Sequence, residues 1–192
     1  MLQLIESYNE YRNSLDIKLI DMLSYINFMS FIIPNGLNLK DLIIWLNQVK
    51  PDGILLSGGN NIGEFAIRDN VEIGVYQWAV EKGKPIFGIC RGMQFINYIN
   101  GGKLKQVENH VSIKHDIYTL PESSIIKRHS FHQLALCKCP KDFIVTHLSP
   151  DDIIEGIEHK EHKIKGIMWH PEREHTFEEY DLKLIQAFYE QR

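Results

Sequence analysis

Cysteine is scarce in this chain, with three residues at positions 90, 137 and 139. An odd and small number builds no disulfide framework and suits a reducing compartment. The Cys137-x-Cys139 spacing is too tight for a zinc knuckle, and no second Cys or His pair stands at finger spacing, so no metal is expected. No apolar run approaches the roughly 20 residues that span a bilayer. The first residues, MLQLIESYNEYRNSLD, carry polar and charged groups where a signal peptide needs an apolar stretch, so a cytoplasmic location is expected. Excess charge is also missing. A net charge of −4 gives no global attraction to nucleic acid or to an anionic membrane, and neither is expected as a partner. Internal repeats, low-complexity tracts and Pro/Gly/Ser linkers are absent too, and 192 residues suffice for one domain with a real core. A single domain over residues 1–192 is therefore expected.

The sequence alternates short apolar runs with amphipathic stretches. Residues 1–6 read as a minimal strand and residues 9–26 as a helical stripe. Residues 28–33 form a compact apolar run that stops at Pro34-Asn35-Gly36, which predicts a strand and a turn. Helices are predicted over 39–49, 71–81 (stopped by Gly83), 91–99 and 177–189, with strands at 53–56 and 85–89. Later β-like runs lie at 111–113, 117–120, 143–147 and 164–169. Strand and helix in alternation imply a parallel sheet with helices on its faces, here with a small antiparallel extension. Such α/β sheets bind ligands at the carboxyl ends of their strands.

The segment Pro85-Ile-Phe-Gly-Ile-Cys-Arg-Gly-Met-Gln94 runs from an apolar strand into G-x-C-x-G and then a helix. This is the cysteine form of the turn that carries a hydrolase nucleophile. Glycines are needed where side chains beside a strained turn would meet neighbouring backbone. A helix N-terminus against sulfur suits a thiolate nucleophile, and the Arg91 N–H would donate into an oxyanion hole. By itself the motif also fits a buried cysteine at a strand–helix junction. A thiol hydrolase needs a histidine and a group that orients it. Among nine histidines, His170 ends an apolar strand in Trp169-His-Pro-Glu172, where Pro171 fixes the backbone and Glu172 can set the tautomer.

The GICRGMQ segment, Trp169-His-Pro-Glu172 and the Ser57-Gly-Gly59 turn together resemble class I glutamine amidotransferase domains. Arg68-Asp69 with Glu72, Gly83-Lys-Pro85, Gly101-Gly-Lys-Leu104, His110, His115 and Ser130-Phe-His-Gln133 resemble its branch of free-standing γ-glutamyl hydrolases, over roughly residues 10–190. The resemblance implies a flavodoxin-like core and a Cys90–His170–Glu172 triad. It implies an oxyanion hole from the N–H groups of Gly59 and Arg91, and a glutamyl group held by Gly58, Gln94, Ser130 and Phe131. It requires neither metal nor organic cofactor, and a small-molecule γ-glutamyl amide is the partner. Relatives of the branch commonly carry an Asp-containing loop where this chain has Asn60-Asn61-Ile62-Gly63-Glu64, which puts the leaving-group half of the substrate in question. Lys127 and Arg128 would suit an anionic, phosphate-bearing leaving group if they face the pocket, or form a solvated basic face if they do not. Candidate substrates are γ-glutamyl-CDP-amidate, of capsule phosphoramidate biosynthesis, and γ-glutamyl-aminobutyrate or a γ-glutamyl polyamine. The rival reading is a glutaminase subunit feeding ammonia to a separate synthetase. Arg68 and Asp69 read most simply as a loop-fixing salt bridge, Trp169 as core, and His132 as the remaining histidine nearest the pocket. The oligomeric state is open, with a homodimer compatible.

Overall fold

The computed structural model describes residues 1–190. Strands β1 (Leu2–Ile5) and β2 (Glu10–Asn13) pair antiparallel as a separate hairpin. Helix α1 (Ile17–Tyr25) starts where the Asp16 carboxylate accepts the Lys18 N–H, and α2 (Leu39–Val49) where Asn38 accepts the Asp41 N–H. Each cap satisfies one of the orphan donors of a first helical turn. Then come β3 (Ile54–Leu56), α3 (Ala66–Glu81), β4 (Ile86–Ile89), α4 (Arg91–Ile99), β5 (Leu104–Gln106), β6 (Val111–Thr119), β7 (Ile125–Phe131), β8 (Leu134–Leu136), β9 (Phe143–Leu148), β10 (Ile154–His159), β11 (Ile164–Ile167) and α5 (Glu179–Glu190). Helix α3 ends as its sequence predicts. Gly83 takes φ +62°, with Lys84 N–H bonded to the Ala79 carbonyl and Gly83 N–H to that of Val80, which closes the last turn.

The main sheet has seven strands in the order β3-β4-β11-β10-β9-β6-β7. Strands β3, β4 and β11 are parallel; the pairs beyond β11 are antiparallel. This is the expected α/β sheet flanked by helices, with a larger antiparallel extension than the short apolar runs suggest. Met22, Leu42, Leu46, Phe87, Met93, Phe95 and Trp169 are fully buried at its core.

Several predicted elements differ. Residues 28–33 form no strand. They pair with no strand and a cavity separates them from the edge strand β3, while Met29, Phe31 and Ile32 are largely exposed. The helix predicted over 9–26 begins only at Ile17, because residues 10–13 pair with β1. The runs at 111–113 and 117–120 are one strand, bulged between Val111 and Ile113. Among the described residues, no helix is long and apolar enough to cross a membrane.

Candidate active site

Two parallel strands deliver the reactive groups to one edge. In the β4–β11 register Ile89 stands opposite Ile167, and the Cys90 N–H extends the ladder by donating to the Ile167 carbonyl at 2.8 Å. Cys90 then turns sharply, with φ 51° and ψ −107°, before α4 begins at Arg91. Such a backbone costs about 1–3 kcal/mol in a non-glycine residue and is kept only where its surroundings enforce it. Here both flanking glycines do so. A Cβ on Gly88 would lie 2.6 Å from the Gly92 carbonyl carbon, and one on Gly92 would lie 2.0 Å from the Leu56 carbonyl oxygen. The turn is thus wedged against α4 on one side and the end of β3 on the other.

Beyond β11, His170 opens a short 3-10 turn over Pro171–Arg173. Its Nδ1 stands 2.6 Å from Glu172 Oε1, and both side chains are buried. With Nδ1 taken by the carboxylate, Nε2 is left for the hydrogen bond to Cys90. Burial opposes a charge on this imidazole. The hydrogen bonds to Cys90 and Glu172 outweigh it and raise the pKa to about 9. His170 therefore carries a proton at neutral pH, between Glu172 and Cys90.

The turn after β3 is fastened from α3 and α4. Arg68 Nη2 donates to the carbonyls of Ser57 and Gly58 at 3.0 and 3.1 Å, while its Nε meets Glu72 at 2.8 Å. Arg91 Nε donates to the Asn60 carbonyl at 2.9 Å, and its guanidinium pairs with Asp69 and Glu72. Arg68 and Asp69 do help to fix the loop, but through other partners than each other: Arg68 pairs with Glu72, and Asp69 with Arg91. The Arg91 backbone N–H, in the first turn of α4, has no carbonyl to bond within the helix.

Gly59, Cys90, Arg91, Gln94, Phe131 and His132 line a common cavity of about 170 Å³, together with Gln133 and Leu134. Gly59 takes φ +120°, and a Cβ there would meet Met1 Cβ at 2.7 Å and Arg68 Nη1 at 2.8 Å. Gln94 Nε2 donates to the Leu134 carbonyl at 2.8 Å, which fixes the amide at the cavity wall and leaves its carbonyl oxygen as an acceptor. A larger cavity of about 690 Å³, on the far side of β3 beside residues 28–33, touches neither Cys90 nor His170.

Four of the sequence-predicted contacts lie elsewhere. Gly58 is not on the cavity; it backs His170, and a Cβ there would sit 2.7 Å from the ring Cε1. Ser130 is fully buried and its hydroxyl donates to the His110 carbonyl at 2.7 Å. Arg128 points into the protein, pairs with Asp181 at 2.7 Å and does not line the cavity. Lys127 is exposed and stands 3.8 Å from Asp116. It lies four residues before Phe131, about 13 Å along an extended strand, and does not line the cavity. The sequence marks Gln133 only as part of the Ser130-Phe-His-Gln133 motif, with no contact assigned; missed altogether are Leu134, which also lines the cavity, and Arg173, whose guanidinium lies 4.9 Å over the Phe131 ring.

Residues 4–191 match the family described as Glutamine amidotransferase class-I. A 127-residue segment, 63% of this chain, is 36% identical to the γ-glutamyl-CDP-amidate hydrolase of Campylobacter jejuni subsp. jejuni and spans 62% of that protein's length. Over 180 residues the chain is 26% identical to one subunit of the glutamine-hydrolysing GMP synthase of Methanosphaera stadtmanae, covering 90% of this chain and 89% of the relative. Among solved structures, a GMP synthase subunit protein from Thermoplasma acidophilum superposes with a TM-score of 0.72 at 25% identity, over 90% of this chain and 85% of the other. A family match over residues 4–191, with a fold shared over 90% of the chain, makes this chain a member of the class I glutamine amidotransferase family.

Proposed function

We propose that the chain is a cysteine-dependent hydrolase of γ-glutamyl amides, with Cys90 as nucleophile, His170 as acid and base, and Glu172 as its orienter. The observation that carries this reading is the buried relay in which Glu172 holds His170 Nδ1 at 2.6 Å while the other side of the ring meets Cys90. The Cys90 sulfur attacks the γ-carbonyl carbon. The oxygen takes up the charge and is held by the N–H groups of Gly59 and Arg91; losing one such donor costs about 100- to 1000-fold in rate. The C–N bond then breaks, His170 gives its proton to the departing nitrogen, and a γ-glutamyl thioester remains on Cys90. Water attacks that thioester, His170 takes the water's proton, and the C–S bond breaks to release glutamate. Gln94 and Phe131 hold the glutamyl group.

For the leaving group, the likeness to a γ-glutamyl-CDP-amidate hydrolase favours a phosphoramidate. The cation that suits it is Arg173, above Phe131, rather than Lys127 or Arg128. A second reading, a glutaminase subunit serving a separate synthetase, draws on the likeness to the GMP synthase subunit of Methanosphaera stadtmanae. One experiment separates them. Purified protein, alone, is given glutamine, γ-glutamyl-aminobutyrate, a γ-glutamyl polyamine and γ-glutamyl-CDP-amidate, with Cys90→Ala as control, and glutamate release is measured. Cys90-dependent turnover of a substituted amide well above glutamine supports the hydrolase. Turnover of none of them, with Cys90 still open to alkylation, sinks it in favour of the partner-dependent glutaminase.

A further inference from the structure

Four ionisable side chains that the proposed reaction does not use converge in the antiparallel half of the sheet. His110 precedes β6, His115 lies in it, His132 follows β7 and Glu155 lies in β10. The Glu155 and His132 side chains are completely buried, that of His110 is 3% exposed and that of His115 13%. Glu155 Oε1 stands 3.4 Å from His110 Nδ1, 3.9 Å from His115 Nε2 and 3.3 Å from His132 Nε2. Yet His110 Nδ1, His115 Nε2 and Glu155 Oε2 have no hydrogen-bond partner. Polar atoms left without a hydrogen bond at such depth are costly, so three together call for an occupant.

The tautomer of His110 sharpens the point. Its Nε2 is 3.1 Å from Asp151 Oδ2, so Nε2 carries the proton and donates it. In the neutral ring Nδ1 is then a bare lone pair facing the Glu155 carboxylate, acceptor against acceptor, inside the protein. A cation between them removes the conflict. The donor atoms of His110, His115 and Glu155 all lie within 4.8 Å of one another. A tetrahedral zinc with bonds of about 2.0–2.2 Å separates its ligands by about 3.3–3.6 Å; the His110–Glu155 pair at 3.4 Å already matches, and His115 Nε2, 3.9 Å from Glu155 Oε1, has to move in by a few tenths of an ångström. Two imidazoles and a carboxylate suit zinc among the divalent metals. An imidazole that turns its far N–H to a carboxylate, as His110 does to Asp151, is the usual outer support of a metal-bound histidine.

We propose that His110 Nδ1, His115 Nε2 and Glu155 bind one zinc ion, with Asp151 orienting His110 and His132 hydrogen-bonding the Glu155 carboxylate. Three protein ligands leave the fourth tetrahedral position to a water. The ion ties β6 to β10, directly behind His132, which lines the cavity at Cys90. It takes no part in the chemistry at the sulfur, and the inference stands whether or not the amide hydrolase reading holds.

The test uses the full chain carrying no polyhistidine tag, stripped with a chelator and titrated with Zn²⁺ against a chromophoric competitor. We expect one ion per chain and a rise in melting temperature on binding. Affinity should fall at least about 100-fold in His115→Ala and Glu155→Gln, and about 10- to 100-fold in Asp151→Asn. Cobalt in place of zinc should give the visible absorption of a tetrahedral site, lost in the same variants. Cys90→Ala and the Cys137→Ser/Cys139→Ser pair should bind as the parent does. Should the Glu155 variant not fold, Asp151→Asn decides, since that side chain is 58% exposed. The proposal is overturned if stoichiometric zinc is lost with Cys90 or with the Cys137/Cys139 pair. It is equally overturned if the folded chain binds no zinc.

Discussion

Gly58 and His170 are in contact so close that a single methyl group does not fit between them: a Cβ on Gly58 would lie 2.7 Å from the imidazole Cε1. The carbonyl of the same glycine is held by Arg68, so the backbone cannot retreat without breaking that bond. Gly58→Ala therefore pushes the ring off the line between Glu172 and Cys90. A displacement near 1 Å costs on the order of 100-fold in rate. We expect kcat to fall by about that factor with KM and melting temperature nearly unchanged. A large loss of melting temperature with kcat intact would show that the turn, not the ring, gives way.

Arg128 offers a choice between two outcomes. Its guanidinium meets Asp181, which also accepts the Trp169 indole N–H at 3.0 Å, and both ends of the pair are buried. Removing the cation strands a buried carboxylate, which costs about 3–5 kcal/mol. In a domain of this size each kcal/mol moves the melting temperature about 2–4 °C, so Arg128→Ala should melt at least about 6 °C lower. The amide preference of the folded variant should match the parent's. An unchanged melting temperature with a raised KM for phosphorylated amides would instead return Arg128 to the leaving group.

The raised pKa of His170 fixes a direction for pH. Its imidazolium supplies the proton to the leaving nitrogen, so kcat/KM for a poor leaving group should decline as pH rises through about 9. Stability follows the same group. The folded pKa lies above the unfolded value of 6.5, so the stabilisation is complete below 6.5 and is lost as pH climbs through about 9. Melting curves of His170→Gln should lack that part of the alkaline decline. A variant whose decline between these values parallels the parent's would place the titration on another group.

How much of this the sequence carries depends on periodicity. Cys90, His170 and Glu172 are legible because each follows an apolar strand whose carboxyl end is marked by glycine or proline, and two parallel strands must end on one edge. The β7 contacts are not. Lys127-Arg128 and Ser130-Phe-His-Gln133 stand out as motifs rather than as parts of the strand Ile125–Phe131, which hides the alternation that turns Arg128 and Ser130 inward and leaves Lys127 outside. Residues 28–33 mislead in the opposite way, since an apolar run reports burial potential and not a pairing partner. Glu155 does leave a trace: a lone carboxylate inside Ile153-Ile154-Glu155-Gly156-Ile157 is a buried charge in need of partners. Its histidines lie 23 to 45 positions upstream, and only the antiparallel pairing of β6, β9 and β10 brings them to it.

Arg173 is where leaving-group preference should respond. Its guanidinium lies over Phe131, a wall of the cavity, and is 39% exposed, with its Nε 4.0 Å from Glu172. A half-exposed arginine beside a carboxylate already engaged by His170 keeps donors free for a phosphate. A hydrogen bond to a charged group contributes about 1.5–3 kcal/mol, which converts to about 10- to 100-fold in affinity. Arg173→Ala should raise KM for γ-glutamyl-CDP-amidate by that factor and leave a neutral γ-glutamyl amide within about twofold. Equal losses on both substrates would mean that Arg173 acts by holding Phe131 or Glu172 in place. The phosphoramidate reading of the leaving group would then lose its cation.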